Sequence, residues 1–125
     1  MATSVINADL IVLPSIDLSS INNLLNLVYE KNGSDLHIAV NHTPYVRIDG
    51  ILNSVGTEPL SKDKANYLIR ELMTEDQQMK LDTNLEEDFG FSYSDKARFR
   101  ANVFFENGNI CAAYRLIPKQ IKTLE

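Results

Sequence analysis

A chain of 125 residues, 44% apolar and 23% charged, has room for one globular domain and its core but not for a second. Its net charge of −5 argues against a general binder of nucleic acid or anionic membrane, and no apolar run approaches the roughly 20 residues of a transmembrane helix. The single cysteine, Cys111, excludes an intramolecular disulfide, and two scattered histidines with one thiol form no zinc pattern, so no metal site is expected.

The opening MATSVINADL lacks a basic region and an apolar stretch, so a soluble, cytosolic protein is expected. Residues 1–15 read as an extension, either loose or an edge strand ending before Pro14. From Leu18, apolar residues at 18, 21, 24, 25 and 28 form the stripe of an amphipathic helix. Asp17 or Ser19 is its expected N-cap and Gly33 its C-terminal cap.

Leu36, Ile38 and Val40 alternate with His37 and Ala39, a turn follows at 41–43, and Val46 and Ile48 resume the alternation, with His37 facing Arg47. This hairpin ends at Asp49-Gly50, before a short strand from Ile51 to Val55. Ser61 caps a second helix with Ala65, Leu68, Ile69 and Leu72 on one face. Thr74 to Gln77 has the form of a capping box opening a third, which ends near Asn84. Three strands then follow, Leu85–Tyr93, Ala97–Glu106 and Asn109–Ile117. The order predicts an α+β fold with an antiparallel sheet and helices packed on one side.

The five glycines, at 33, 50, 56, 90 and 108, fit neither a Walker loop nor a dinucleotide fingerprint, and no nucleophile elbow is present. No self-sufficient active site is therefore expected. The charge is uneven: residues 96–122 carry six basic residues against the single acid Glu106, a local basic island in an acidic chain.

Register gives this island its meaning. Asn107-Gly108 is a strong two-residue hairpin signal, and such a turn places Phe105 opposite Ile110, Val103 opposite Ala112, Ala101 opposite Tyr114 and Phe99 opposite Leu116. Phe89, Phe91 and Tyr93 join that face if the preceding loop is the three residues Ser94-Asp95-Lys96. Arg98, Arg100, Asn102, Ala113 and Arg115 then share the other face with Asp88, Gly90 and Ser92, and Arg100 lies opposite Arg115. Facing like charges cost a few tenths to about 1 kcal/mol. Either an anionic ligand or partner sits between them, or Asp88 or Glu86 pairs with them internally. Glu86 and Asp88 alone of the acidic run share a face, and a solvated strand is the default for them. His37 reads as a structural histidine. Phe104 and Cys111 pair on the arginine face, which points to docking against another domain.

In order, Ser34-Asp35-Leu36-His37, Pro44 with Arg47-Ile48-Asp49-Gly50, Glu86, Asp88, Phe89 and Phe91, Ala97-Arg98-Phe99-Arg100 with Asn102 and Phe104, and Arg115-Leu116-Ile117-Pro118 resemble the N-terminal domain of PilT-like type IV pilus retraction ATPases, in the type II/IV secretion ATPase superfamily. The resemblance spans about residues 16–125. It implies a PAS-like N-terminal domain at 16–118 and, at 119–125, the start of a linker to a RecA-like ATPase domain that carries the Walker motifs and is absent here. The complete protein is then expected to be a homohexameric retraction motor that uses ATP with Mg²⁺, lies in the cytoplasm and meets the pilus machinery at the inner membrane. The resemblance places this domain against the RecA-like domain of the neighbouring subunit, with Arg98, Arg100 and Arg115 approaching the ATP phosphates. The fragment itself is expected to be inactive, to hold no nucleotide tightly, and neither to enter the membrane nor to bind nucleic acid. The alternatives are a free-standing PAS-like anion-binding or sensor module, or the same domain of a pilus-assembly or type II secretion ATPase.

Overall fold

A computed structural model describes residues 10–95 and 97–118. The elements run β1 (Ile11–Leu13), α1 (Ile21–Glu30), β2 (Asp35–Ala39), β3 (Tyr45–Ile48), β4 (Ile51–Val55), α2 (Lys62–Arg70), α3 (Glu75–Asn84), β5 (Glu86–Ser94), β6 (Ala97–Glu106) and β7 (Asn109–Pro118). The seven strands form one sheet in the order β1-β4-β3-β2-β7-β6-β5. The α+β class is as expected. The sheet is mixed rather than wholly antiparallel, because β1 leaves the 1–15 segment to pair in parallel with β4, Leu13 lying beside Val55. Residues 1–9 and the expected linker at 119–125 lie outside the described residues.

Local chemistry explains most element ends. Ser20, not Asp17 or Ser19, caps α1 by accepting from the Asn22 amide, while Asp17 is engaged with Ser19 instead. After α1 it is Asn32, φ 56°, that turns left-handed. Gly33 serves a different need: a Cβ there would lie 2.9 Å from the Arg47 carbonyl oxygen, so only glycine lets the chain pass this close to β3. Ser61 caps α2 and the Thr74–Gln77 box opens α3, both as the sequence indicates. Leu85 is not the first strand residue but the left-handed residue (φ 64°) that closes α3.

Both Asp49-Gly50 and Asn107-Gly108 have two positive φ values, the geometry whose twist suits a two-residue hairpin. The second sets the β6–β7 register, with all four apolar pairs and the Arg100–Arg115 pair in place. In the β5–β6 hairpin Phe91 meets Phe99 and Phe89 meets Ala101, but the strand continues to Ser94 and a bulge between Ser92 and Ser94 takes up the odd residue expected in the loop. Lys96, the last residue of that expected loop, lies outside the described residues.

The core lies between the helices and one face of the sheet. Ile21, Leu24, Leu25 and Val28 of α1 and Leu68 and Ile69 of α2 are buried together with Leu36, Phe99, Val103, Ile110 and Tyr114. Phe91 stacks on Phe99 at 5.8 Å, and Tyr93 meets Phe99 edge-on at 5.5 Å. The helices therefore cover one face, and the arginines stand on the other.

Candidate functional site on the open sheet face

The site depends on a pairing between strands far apart in sequence, β2 with β7. It sets Asp35 beside Arg115 and His37 beside Ala113. Across the sheet this produces a row Arg47, Asp35, Arg115, Arg100, Gly90, one residue from each of β3, β2, β7, β6 and β5. The next row is Tyr45, His37, Ala113, Asn102, Asp88. His37 thus faces Tyr45 and not Arg47, whose true cross-strand neighbour is Asp35.

Asp35 is the one buried charge of the site, its side chain 10% exposed. Its Oδ1 accepts from the Ser34 hydroxyl at 2.5 Å, and its Oδ2 lies 2.6 Å from His37 Nε2 and 3.6 Å from Arg47 Nε. A carboxylate only accepts, so His37 Nε2 carries the proton in this contact. Burial pushes the Asp35 carboxyl up, but the Ser34 hydroxyl, the His37 ring and the Arg47 guanidinium outweigh it and hold it below the usual aspartate value.

The arginines are differently placed. Among the described residues, no carboxylate oxygen lies within 4.0 Å of Arg98, Arg100 or Arg115. The internal pairing considered for Asp88 and Glu86 is not made. Register puts Asp88 opposite Asn102, whose amide donates to Asp88 Oδ1 at 2.6 Å and to Glu86 Oε2 at 3.2 Å. Arg100 has only Gly90 on its β5 side. Arg100 and Arg115 line one hollow of about 390 Å³ with Asp35, His37, Asp88, Asn102 and Ala113. Arg115 also borders a second, about 430 Å³, with Ser34, Asp35, His37 and Arg47. Arg98 lines neither; its guanidinium lies over Gly90, where Nη2 would be 2.9 Å from an added Cβ. The three arginines named from sequence therefore divide into a facing pair and a neighbour.

The larger hollow on the helix side, about 700 Å³ between α1 and β5, holds no arginine and carries no comparable charge cluster. Cys111 is buried opposite Phe104, and burial and the Glu106 carboxylate raise its thiol pKa, which disfavours the thiolate needed for a nucleophile. Asp35 and Arg47 are the site residues that sequence reasoning missed. The signal available was the spacing of Asp35 and His37, which puts both on one face of a strand.

No protein-family model matches the chain. It is 33% identical to the type IV pilus retraction ATPase PilT of Pseudomonas aeruginosa over 105 residues, which is 84% of this chain and 30% of that protein. It superposes on a crystal structure of the pilus retraction motor PilT with bound ADP at a TM-score of 0.74 and 33% identity, covering 82% of this chain and 30% of that one. The chain is a homologue of one part of the PilT-like ATPases. Its likeness extends to the type IV pilus ATPase PilU of Pseudomonas aeruginosa, 32% identical over 82% of this chain and 27% of that protein. A twitching motility protein of Neisseria gonorrhoeae is 30% identical over 66% of this chain and 22% of its own length. The ATPase DotB of Legionella pneumophila shares the fold at a TM-score of 0.68 and 19% identity, over 87% of this chain and 32% of that one. The chain thus spans about a third or less of the length of these PilT-like relatives. Among the described residues, no helix is long and apolar enough to cross a membrane.

Proposed function

We propose that this domain serves a hexameric pilus retraction motor, packing its open sheet face on the RecA-like ATPase domain of the neighbouring subunit and presenting Arg100 and Arg115 to the phosphates of ATP·Mg²⁺ held there. Arg98 flanks them at the interface. One observation carries the reading: Arg100 and Arg115 face each other across a strand pair and, among the described residues, neither has a carboxylate oxygen within 4.0 Å, on the sheet face opposite the helices. Such a pair is unfavourable alone and favourable around a phosphate, which takes bidentate hydrogen bonds from arginine. The motor acts at the cytoplasmic side of the inner membrane, where the pilus machinery stands.

The test is ATP hydrolysis by the full-length protein carrying Arg100→Ala or Arg115→Ala. Loss of a charge-assisted hydrogen bond is worth about 1.5–3 kcal/mol, so kcat/KM should fall by roughly 10- to 100-fold while each variant stays folded. Activity unchanged in both variants refutes the phosphate role and leaves the face a structural interface. Tight binding of ATP by the 125-residue chain alone would instead favour a self-contained anion module.

A further inference from the structure

Asp35 poses a problem for the arginine pair, because it is the cross-strand neighbour of Arg115 and its charge is opposite. Side chains directly opposite on neighbouring strands are close enough to interact, so an ion pair between these two is the expected local arrangement. It is not made. The Asp35 carboxylate is engaged elsewhere, with Oδ1 taken by Ser34 and Oδ2 by His37 at 2.6 Å and, more weakly, by Arg47 at 3.6 Å.

We propose that His37, aided by Arg47, holds Asp35 away from Arg115 and so keeps Arg115 free for an anionic ligand. His37 is then a positioning residue that acts through Asp35, without touching the anion. Removing His37 leaves Oδ2 with only the 3.6 Å contact from Arg47, and the carboxylate swings to Arg115 and neutralises it. The effect on ligand rests on the phosphate role proposed above for Arg115; the effect on the Asp35–Arg115 contact does not.

The signature is a rescue that a ligand-contacting histidine cannot give. In the full-length protein His37→Ala should raise the KM for ATP about two- to fivefold, the range over which an exposed ion pair can occupy a guanidinium. His37→Ala with Asp35→Asn should return KM to the wild-type value, since no carboxylate is left to capture Arg115. A second measurement needs no nucleotide: side-chain NMR of the 125-residue chain should show the Arg115 Nε–H shifted in His37→Ala and restored in the double variant. A double variant as impaired as His37→Ala overturns the proposal, as does an Arg115 signal that does not move. If Arg115→Ala leaves KM unchanged, it is the phosphate reading that fails, and the NMR comparison still decides whether His37 restrains Asp35.

Discussion

The Arg100–Arg115 pair should make the domain less stable than it need be, and this can be measured apart from any ligand. Arg100 is the residue to change, because its other cross-strand neighbour is Gly90 and it makes no ion pair among the described residues. Like charges directly opposite cost about 0.2–1 kcal/mol, and exposure of both side chains keeps the value in that range. Arg100→Gln keeps most of the stem and removes the charge, so the domain should gain that amount. At about 4 °C per kcal/mol for a chain of this size, Tm rises by roughly 1–4 °C. Arg100→Lys, which keeps the charge, should show little of the gain. Thermal melts followed by circular dichroism in dilute buffer and again in about 1 M salt separate repulsion from packing, since a screening length of about 3 Å removes most of the difference. A lower Tm for Arg100→Gln, or a gain that salt leaves intact, refutes the reasoning, because the pair would not then be in conflict.

Gly33→Ala should destabilise by about 1–3 kcal/mol in urea unfolding, as its Cβ must displace the β3 backbone, whereas Gly90→Ala crowds the movable end of Arg98, touches the Phe99 carbonyl oxygen at an ordinary 3.5 Å and should stay within about 0.5 kcal/mol. The depressed Asp35 pKa means that the folded carboxyl binds its proton less readily than the unfolded one. The stability it contributes is therefore fully present above its ordinary value of 3.8 and lost as pH falls through its lower folded value. The stability difference between wild type and Asp35→Asn, measured by denaturant titration, should accordingly shrink below about pH 4; a difference that stays constant down to pH 2 contradicts the assigned environment.

What the sequence reveals is what local rules govern. The β5, β6 and β7 faces are readable because Asn107-Gly108 admits one tight turn and only one register then joins apolar to apolar, and Arg100 opposite Arg115 follows from that alone. Where a glycine or a partner matters through distant chain, the reading stops. Gly33 looks like a helix cap until the Arg47 carbonyl is found beside it. The three-residue β1 carries too little pattern to declare a parallel partner. The parity needed before β6 is legible, but a bulge with a shorter connection satisfies it as well as the expected three-residue loop does, and the bulge is what the chain uses. Asp35 illustrates the limit best: its partners Ser34 and His37 are near in sequence, yet its place beside Arg115 depends on the β2–β7 pairing, which no turn specifies.

That pairing also bears on how the domain is made. The hairpins from β2 to β4 and from β5 to β7 each close over short loops, but Ala39 and Cys111 must meet across about seventy intervening residues, including α2 and α3. Closing so long a loop is entropically costly before its contacts are rewarded, so joining the two half-sheets is the slow, late event in folding. Asp35 and Arg115 lie on that seam. A nascent chain therefore has the Arg100–Arg115 pair as soon as the β6–β7 hairpin closes, but Asp35 and His37 take their places beside it only when the two halves have zipped together.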